Sequence, residues 1–572
     1  MRRPLLLSAA ALLLVVPAGR ASADGDPADD VPTRLFFREP DADTTARIAE
    51  LISKMPTNSV SDRTKTRREL ETIGFWAVDP LIDVVTKREA PFRCDAILVL
   101  DAMRDRRAVD PLRGVVLKEA AQQYVSGFAA LSLGRFRDAG SVDVFRAALR
   151  SPKSMDMFRA AAPFALVKIR TSEARDLVID RVVHARGEKE PARSAALLSL
   201  GFFPDVALAA DGVRPGDGLM AGLASKPSGE RQAALLAFLV AAQGPGDSKQ
   251  FLREHFATEA APEVARIDLL GLSRSPDADV TELLAKTVEH QGARVVRELA
   301  ADLLLDRVDA SVKPSIMQTA RNAPSARLRA ACVLALGRLD DEDARRLVVD
   351  RLVDQAPIVR AAAAVALTRS RTAAARVDGL AAVEARIKRG ETNDDVRADL
   401  EKARSLLAGE RSDVLWTKFG GDDIFADMSL TYVQRLLREV NLRLMACLGL
   451  DKIQNLQTDS EIVPGGPPIN PGTGESSGVG DTPPSGSVDG GGGGTGPDGG
   501  GKGEGPSPRN PSGSGSDGPS QSPPGDTPTV GAARTSQYQE LRDLKVELMR
   551  LPYLTFADLP VPPSATTPAA PR

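Results

Sequence analysis

Aromatic residues supply only 4% of the 572-residue chain. Cores of β-sandwiches and barrels lean on such side chains, so their scarcity points to a helical array packed by Ala, Leu and Val. Cysteine is rarer still: Cys94, Cys332 and Cys447 stand far apart. Three cysteines so placed form no disulfide framework, and small buried apolar side chains are their expected role. The three histidines, His184, His255 and His290, make neither a two-histidine helix motif nor a Cys/His metal spacing. There is no Gly-x-Ser-x-Gly elbow with plausible partners. The glycines of 490–501 lack the flanking strand and apolar helix of a phosphate loop. Asp422, Asp423 and Asp427 beside Gly420-Gly421 do not have calcium-loop spacing and read as a solvated turn. No catalytic, cofactor or metal site is therefore expected.

Long hydrophobic runs are also missing. The longest, Leu5 to Val16, is too short for an ordinary membrane span. With Arg2 and Arg3 before it, and Pro17, Gly19 and Ala21-Ser22-Ala23 after it, the run reads as a signal peptide over 1–23, cleaved after Ala23. No cysteine follows it, so a lipoprotein route is not expected. A periplasmic or extracellular protein with no integral span is the expectation. Cleavage would remove three arginines and no acids, taking the net charge from −3 to −6. That balance argues against nucleic acid as a partner, since phosphate binding needs a basic face. Arg104, Arg106 and Arg107 beside Asp101 and Asp105 read as a solvated turn, and Lys65, Arg67 and Arg68 likewise.

What the chain does have is a repeat. Arg63, Arg93, Ser126, Arg159, Arg193, Arg231, Glu263, Arg297, Arg329 and Arg360 follow one another at gaps of 30 to 38 residues. Seven residues on from each stands Leu70, Leu100, Leu133, Leu166, Leu200, Phe238, Leu270, Leu304, Leu336 or Leu367. Three residues on stands Ala in seven copies and Cys332 in another, with Thr66 and Arg266 as exceptions. Offsets of three, four and seven share one helix face. A second helix upstream must cover that face. Val78-Asp79-Pro80 and Val109-Asp110-Pro111 read as its start, with Ser311 to Pro314 a looser version. Breakers such as Ser151-Pro152, Ala261-Pro262 and Ala356-Pro357 separate the two. A helix pair of this size cannot bury its own apolar face, whereas a stack can, so the fold class is an all-α α-solenoid, an α-α superhelix.

The Asp-Pro-Leu opening, the arginine at the start of the second helix and the Ala-rich stretch closing in Leu-Gly resemble HEAT repeats. Arg329 to Gly337 and Arg193 to Gly201 carry the likeness best, and it is similar to the short bacterial type also seen in phycobilin lyases. It covers 44–405, about ten helix pairs. Copies one and six match least well, Pro163 falls inside a second helix and should kink it, and Gly212 to Gly222 marks an irregular turn. The resemblance implies that the ladder arginines Arg63, Arg93, Arg159, Arg193, Arg231, Arg297, Arg329 and Arg360 pair with acids and helix carboxyl ends of the adjacent unit. Binding of an anionic ligand is the other use of such a ladder.

Outside the repeats, 24–43 reads as a flexible amino terminus and 406–462 as a helical capping region. Trp416, Phe419 and Phe425 either cap the open end of the stack or anchor a partner. Over 463–535 the chain is dominated by Gly, Pro and Ser, the composition of a disordered linker. An amphipathic helix follows over 536–551, with Ser536 and Gln539 spaced as a capping box and Tyr538, Leu541, Leu544, Leu548 and Leu551 as its stripe. It either docks back onto the chain or recognises a partner. A flexible Pro-rich tail is expected over 552–572. The functional expectation is an exported, non-catalytic, monomeric scaffold that holds a protein or cell-envelope component through its concave helical surface, its carboxyl-terminal helix or both. The alternatives are a lyase-like enzyme, which the resemblance alone implies, or a purely structural envelope protein.

Overall fold

Each register leucine needs a layer above it, and the structure supplies one. The computed structural model describes residues 39–55, 60–87, 92–118, 123–184, 188–243, 248–290, 292–305, 307–339, 341–410, 416, 430–451 and 541–560. Within them the chain is an all-α stack of helix pairs. The pairs, from layer 1, are Ala42–Lys54 with Val60–Ile73, Phe75–Thr86 with Arg93–Met103, Val109–Lys118 with Gln123–Arg135, and Ser141–Arg150 with Asp156–Ile169. Layer 5 pairs Ser172–His184 with Glu190–Leu200. In layer 6 the first helix is split into Pro204–Ala207 and Asp217–Leu223 before Ser228–Ala241. Layers 7 to 9 are Lys249–Thr258 with Pro262–Leu272, Ala278–Glu289 with Arg294–Leu304, and Lys313–Asn322 with Ala326–Leu336. Layers 10 and 11 are Glu342–Asp350 with Pro357–Thr368 and Ala373–Arg389 with Asp394–Leu407.

First helices pack on first helices and second helices on second helices, which makes two parallel ladders. All ten register positions seven residues on are buried, and layer 11 adds one pair beyond the ten that carry the register. The Ala-rich face lets second helices approach closely. At Gly201 and Gly337, which end the inner helices of layers 5 and 9, a Cβ would strike backbone atoms of Ala237 and Ala366 in the next layer. That contact is the physical reason for the Leu-Gly ending.

Helix starts follow local chemistry. Asp41, Ser325, Asp341, Thr372 and Asn393 each accept a first-turn amide through the side chain. Proline opens second helices at Pro191, Pro262 and Pro357, where its missing N–H costs nothing. Two local expectations need correction. The first helix of layer 2 begins at Phe75, after Gly74 at φ +68°, so Asp79-Pro80 lies inside it and does not start it. Asp101 is buried against Arg135 at 2.7 Å, and Arg67 is buried against Asp95 at 3.2 Å, so neither belongs to a solvated turn. The helix of layer 4 runs unbroken through Pro163. The irregular stretch of layer 6 closes on one antiparallel bridge between Leu208 and Pro215.

Two further helices leave the stack: Tyr432–Cys447, here the return helix, and 541–550, the carboxyl-terminal helix. Among the described residues no helix is long and apolar enough to cross a membrane. The expected signal peptide 1–23, most of 24–43, the expected linker 463–535 and the expected capping box at Ser536 lie outside the described residues.

Candidate functional site: the inner face of the stack

The ladder arginines share one geometry, clearest in layers 6, 9 and 10. Arg231 donates to the carbonyls of Ser225 and Lys226 at 3.0 and 2.7 Å, and forks onto Glu259 at 2.8 and 2.9 Å. Arg329 takes the carbonyls of Ala323 and Pro324 and forks onto Asp354 at 2.8 and 3.2 Å. Arg360 takes the carbonyls of Asp354 and Gln355 and forks onto Glu391 at 2.8 and 2.9 Å. Each acid sits after the first helix of the following layer, so one guanidinium ties its own turn to the next. The carboxylate is fixed in turn by an amide two residues on, from Ala261, Ala356 or Asn393. Burial alone would raise these carboxyls. The opposed guanidinium and the amide outweigh it, and Glu259, Asp354 and Glu391 lie below their ordinary values.

Elsewhere the ladder varies. Arg159 reaches Glu188 at 2.6 Å and the carbonyls of Ser151 and Ser154. Arg193 pairs with Glu230 at 3.2 Å and is much more exposed. Arg93 and Arg297 bond the carbonyls of Val85 and Val288, at the ends of their own first helices. Arg63 turns to Asp95 of layer 2 at 2.5 Å and to Asp543 of the carboxyl-terminal helix at 2.8 Å. Seven of the eight guanidinium groups thus bond the stack alone, and Arg63 is shared between layer 2 and the carboxyl-terminal helix.

That inner face is covered by the chain itself. The return helix opens with a capping box between Thr431 and Gln434 and lies on the second helices of layers 5, 6 and 7. Leu436, Val440 and Leu444 are buried beneath it. Glu439 meets Arg266, and Arg443 meets Glu190 and, at 2.9 Å, Ser194. Arg266 is one of the two residues that break the small-residue rule of the register. Its side chain serves the return helix instead of the interlayer packing. Within the expected capping region 406–462, the described helix Tyr432–Cys447 folds back to the middle of the stack. Burial pushes the Cys447 thiol up to about 12, while Cys94 and Cys332 are also buried and free.

The segment 541–560 covers layers 1 to 4. Leu541 is half-buried, and Leu544 and Leu548 are buried. Leu551, expected on the same stripe, is 56% exposed, because the helix ends at 550 and the chain turns. Asp543 is fully enclosed near Arg63, Arg67 and Asp95, and Glu547 lies 3.4 Å from Arg67. Burial raises the Asp543 carboxyl, with the two guanidinium groups opposing and the Asp95 carboxylate adding to the rise.

Beyond the helix, the expected flexible tail over 552–572 is contradicted for 552–560. Tyr553 is 1% exposed and donates its hydroxyl to the Leu131 carbonyl at 2.9 Å. It fits because Gly134 has no side chain; a Cβ there would meet both the tyrosine oxygen and Ala165. Arg135 and Lys168 lie over the ring, 5.2 and 5.3 Å from its centroid. Leu554 exchanges two hydrogen bonds with Asn441 of the return helix, at 2.8 and 3.1 Å. Asp558 binds Lys168 at 2.6 Å, and Arg170 donates to the Ala557 carbonyl at 2.6 Å. Burial would raise Asp558, but the Lys168 ammonium and the Thr555 donors hold it below its ordinary value. Burial lowers Lys168 in turn.

Trp416 is half-buried and packs on the core, while Phe419, Phe425 and Tyr538 lie outside the described residues. A separate dyad joins His255 of layer 7 to Asp268 at 2.9 Å. Burial raises Asp268 to about 6. Burial opposes the charge on His255, but the Asp268 carboxylate prevails and raises the imidazole above its ordinary value. Among the described residues no serine, threonine or cysteine side chain is seen to bond this dyad, whose side chains tie the two helices of one layer. Among the described residues no group of His, Cys, Asp or Glu is placed to hold a metal.

No family model matches the chain, and no curated protein matches it. Among the solved structures to which the chain is similar are two that each span about three fifths of it. One is an engineered protein from a structural genomics consortium, 15% identical, covering 63% of this chain and 99% of its own, with a TM-score of 0.31. The other is human deoxyhypusine hydroxylase in complex with glycerol, 17% identical, covering 60% of this chain and 98% of its own, with a TM-score of 0.21.

Proposed function

We propose that the chain is an exported, non-catalytic, HEAT-like scaffold that holds a protein or cell-envelope partner along the inner face of its repeats. The observation that carries this reading is the use the chain already makes of that face. Seven successive layers hold polypeptide there, in part through side chains that depart from the repeat pattern. Arg67 and Arg266 have this role at places where the register otherwise carries apolar or small residues; Arg67 also meets Asp95 of layer 2, and Tyr553 uses the space left by the Leu-Gly close at Gly134. A surface that binds two segments of its own chain has the chemistry to bind a segment of another. Export rests on the basic start, the apolar run and the small-residue site within 1–23.

The inner face of layer 8 offers a site for the test. Val295, 51% exposed, holds the register place that Gly229 holds in layer 6, where Arg443 of the return helix lies. A photo-crosslinking residue at Val295 should give a discrete adduct in living cells. The same residue at Leu117, half-exposed on the first helix of layer 3, should give none. Residues 1–30 fused to a phosphatase that works only outside the cytoplasm should give activity. Equal adducts at both positions, or an inactive fusion, would contradict the proposal.

A further inference from the structure

The carboxyl-terminal segment meets layers 1 to 4 as a ligand meets a receptor. Its acids stand in order opposite the cations of the groove: Asp543 and Glu547 against Arg63 and Arg67, then Asp558 against Lys168. Its one buried aromatic, Tyr553, enters a hole lined by Gly134 and topped by Arg135. Arg63 and Gly134 are places of the repeat, but Arg67 is not. Position four of the register is apolar in most copies but is Arg67 in layer 1. The partners are also remote, 390 residues apart for Lys168 and Asp558 and 480 for Arg67 and Glu547. A ten-residue helix is marginal in water by itself. Contact with the stack is therefore what orders the segment.

Resting on the reading of the inner face as a polypeptide-binding surface, we infer that the groove over layers 1 to 4 is a peptide-docking site. Its ligand is an acidic helical segment followed by an aromatic residue. The pattern is an acid, a second acid four residues on, an aromatic six further and an acid five further, as at Asp543, Glu547, Tyr553 and Asp558. The chain's own segment is the internal competitor. A partner protein bearing the same pattern displaces it. Charge complementarity fixes the class: the groove presents Arg63, Arg67, Arg135, Lys168 and Arg170 against Asp95 and Asp101, an excess of cations that favours an acidic segment over a basic one. A tethered occupant has an effective concentration on the order of millimolar, so the partner must bind well below that to win.

The test uses the full chain and a labelled peptide of residues 536–560 as probe. In hydrogen–deuterium exchange, 541–560 should be protected in the unaltered chain. It should exchange faster with excess peptide, while the inner helices of layers 1 to 4 stay protected. A scrambled peptide of the same composition should do nothing. Tyr553→Ala, which alters the tethered competitor and not the groove, should tighten peptide binding at least tenfold. If Y553A fails to fold, the exchange of the unaltered chain decides by itself. Failure of the peptide to change exchange, with 541–560 opening only at global unfolding, makes the segment a permanent part of the core and overturns the inference. Equal displacement by the scrambled peptide reduces the groove to bulk charge and overturns it too. Neither result touches the adduct at Val295, which lies outside the covered layers.

Discussion

Arg360 and Arg193 occupy the same register place and differ in what surrounds them. The Arg360 side chain is 10% exposed and forks onto a Glu391 that is 1% exposed; that of Arg193 is 42% exposed. Removing one partner of a buried pair strands the other, at a cost of roughly 3–5 kcal/mol; Glu230, 3% exposed, keeps the Ser225 hydroxyl when the solvent-facing Arg193 is removed, so that loss is smaller. Urea unfolding should therefore show Arg360→Ala as several-fold more damaging than Arg193→Ala. Equal losses would deny that burial sets the strength of a rung. The dyad of His255 and Asp268 gives a second prediction at this scale. Both groups are raised in the folded chain, so the native state holds more protons than the unfolded one. Asp268 sheds its share as pH rises from the ordinary carboxylate range to about 6. The His255 share is complete below an unfolded value of about 6.5 and is lost as pH passes the folded one. Stability should fall by roughly 1–3 kcal/mol across that window. Asp268→Asn should flatten the fall and return the His255 titration, followed by NMR, toward about 6.5. An unchanged titration would sink this account.

Helix pairing was legible in the sequence because leucine and arginine recur at fixed offsets within one element. The acids that complete the rungs were not. Glu259, Asp354 and Glu391 fall 28, 25 and 31 residues after their arginines, since the turn and first helix between them vary in length. Pairing with acids of the adjacent unit was legible as a type of contact, without the residues. The split first helix of layer 6 was foreshadowed by its glycines, but its bridge was not. The close of the second helix depends on neighbours as well. At Gly201 an added Cβ meets the Ala237 backbone, which cannot yield as a flexible side chain would. Gly201→Ala should lower the unfolding midpoint by the equivalent of about 1–3 kcal/mol. The same change at Gly114, where nothing lies within 4 Å of the added atom, should be neutral or stabilising. A neutral G201A would mean that the layers are less close than described.

Across the whole molecule, the chain runs out along eleven layers and then returns over its own inner face. The return helix lies on layers 7 to 5, and 541–560 runs from layer 1 to layer 4. The two meet where Leu554 pairs with Asn441. This return escaped the periodicity because no repeat encodes it. Its signals were the misfits, Arg67 and Arg266 at places where the pattern wants apolar or small residues, and their meaning needed partners 480 and 173 residues away. The ladder acids add an acid limb to the pH behaviour. Their depressed values give stability that is present above the ordinary carboxylate range and lost as pH falls through the folded values.

A double-mutant cycle on Lys168→Met and Asp558→Asn, read by urea unfolding, tests the return most directly. The two side chains are 12% and 1% exposed and 2.6 Å apart. The account predicts a coupling of roughly 1–3 kcal/mol between residues that only the return brings together. Additivity to within about 0.3–0.5 kcal/mol would contradict it, because uncoupled sites belong to a segment that does not lie on the stack.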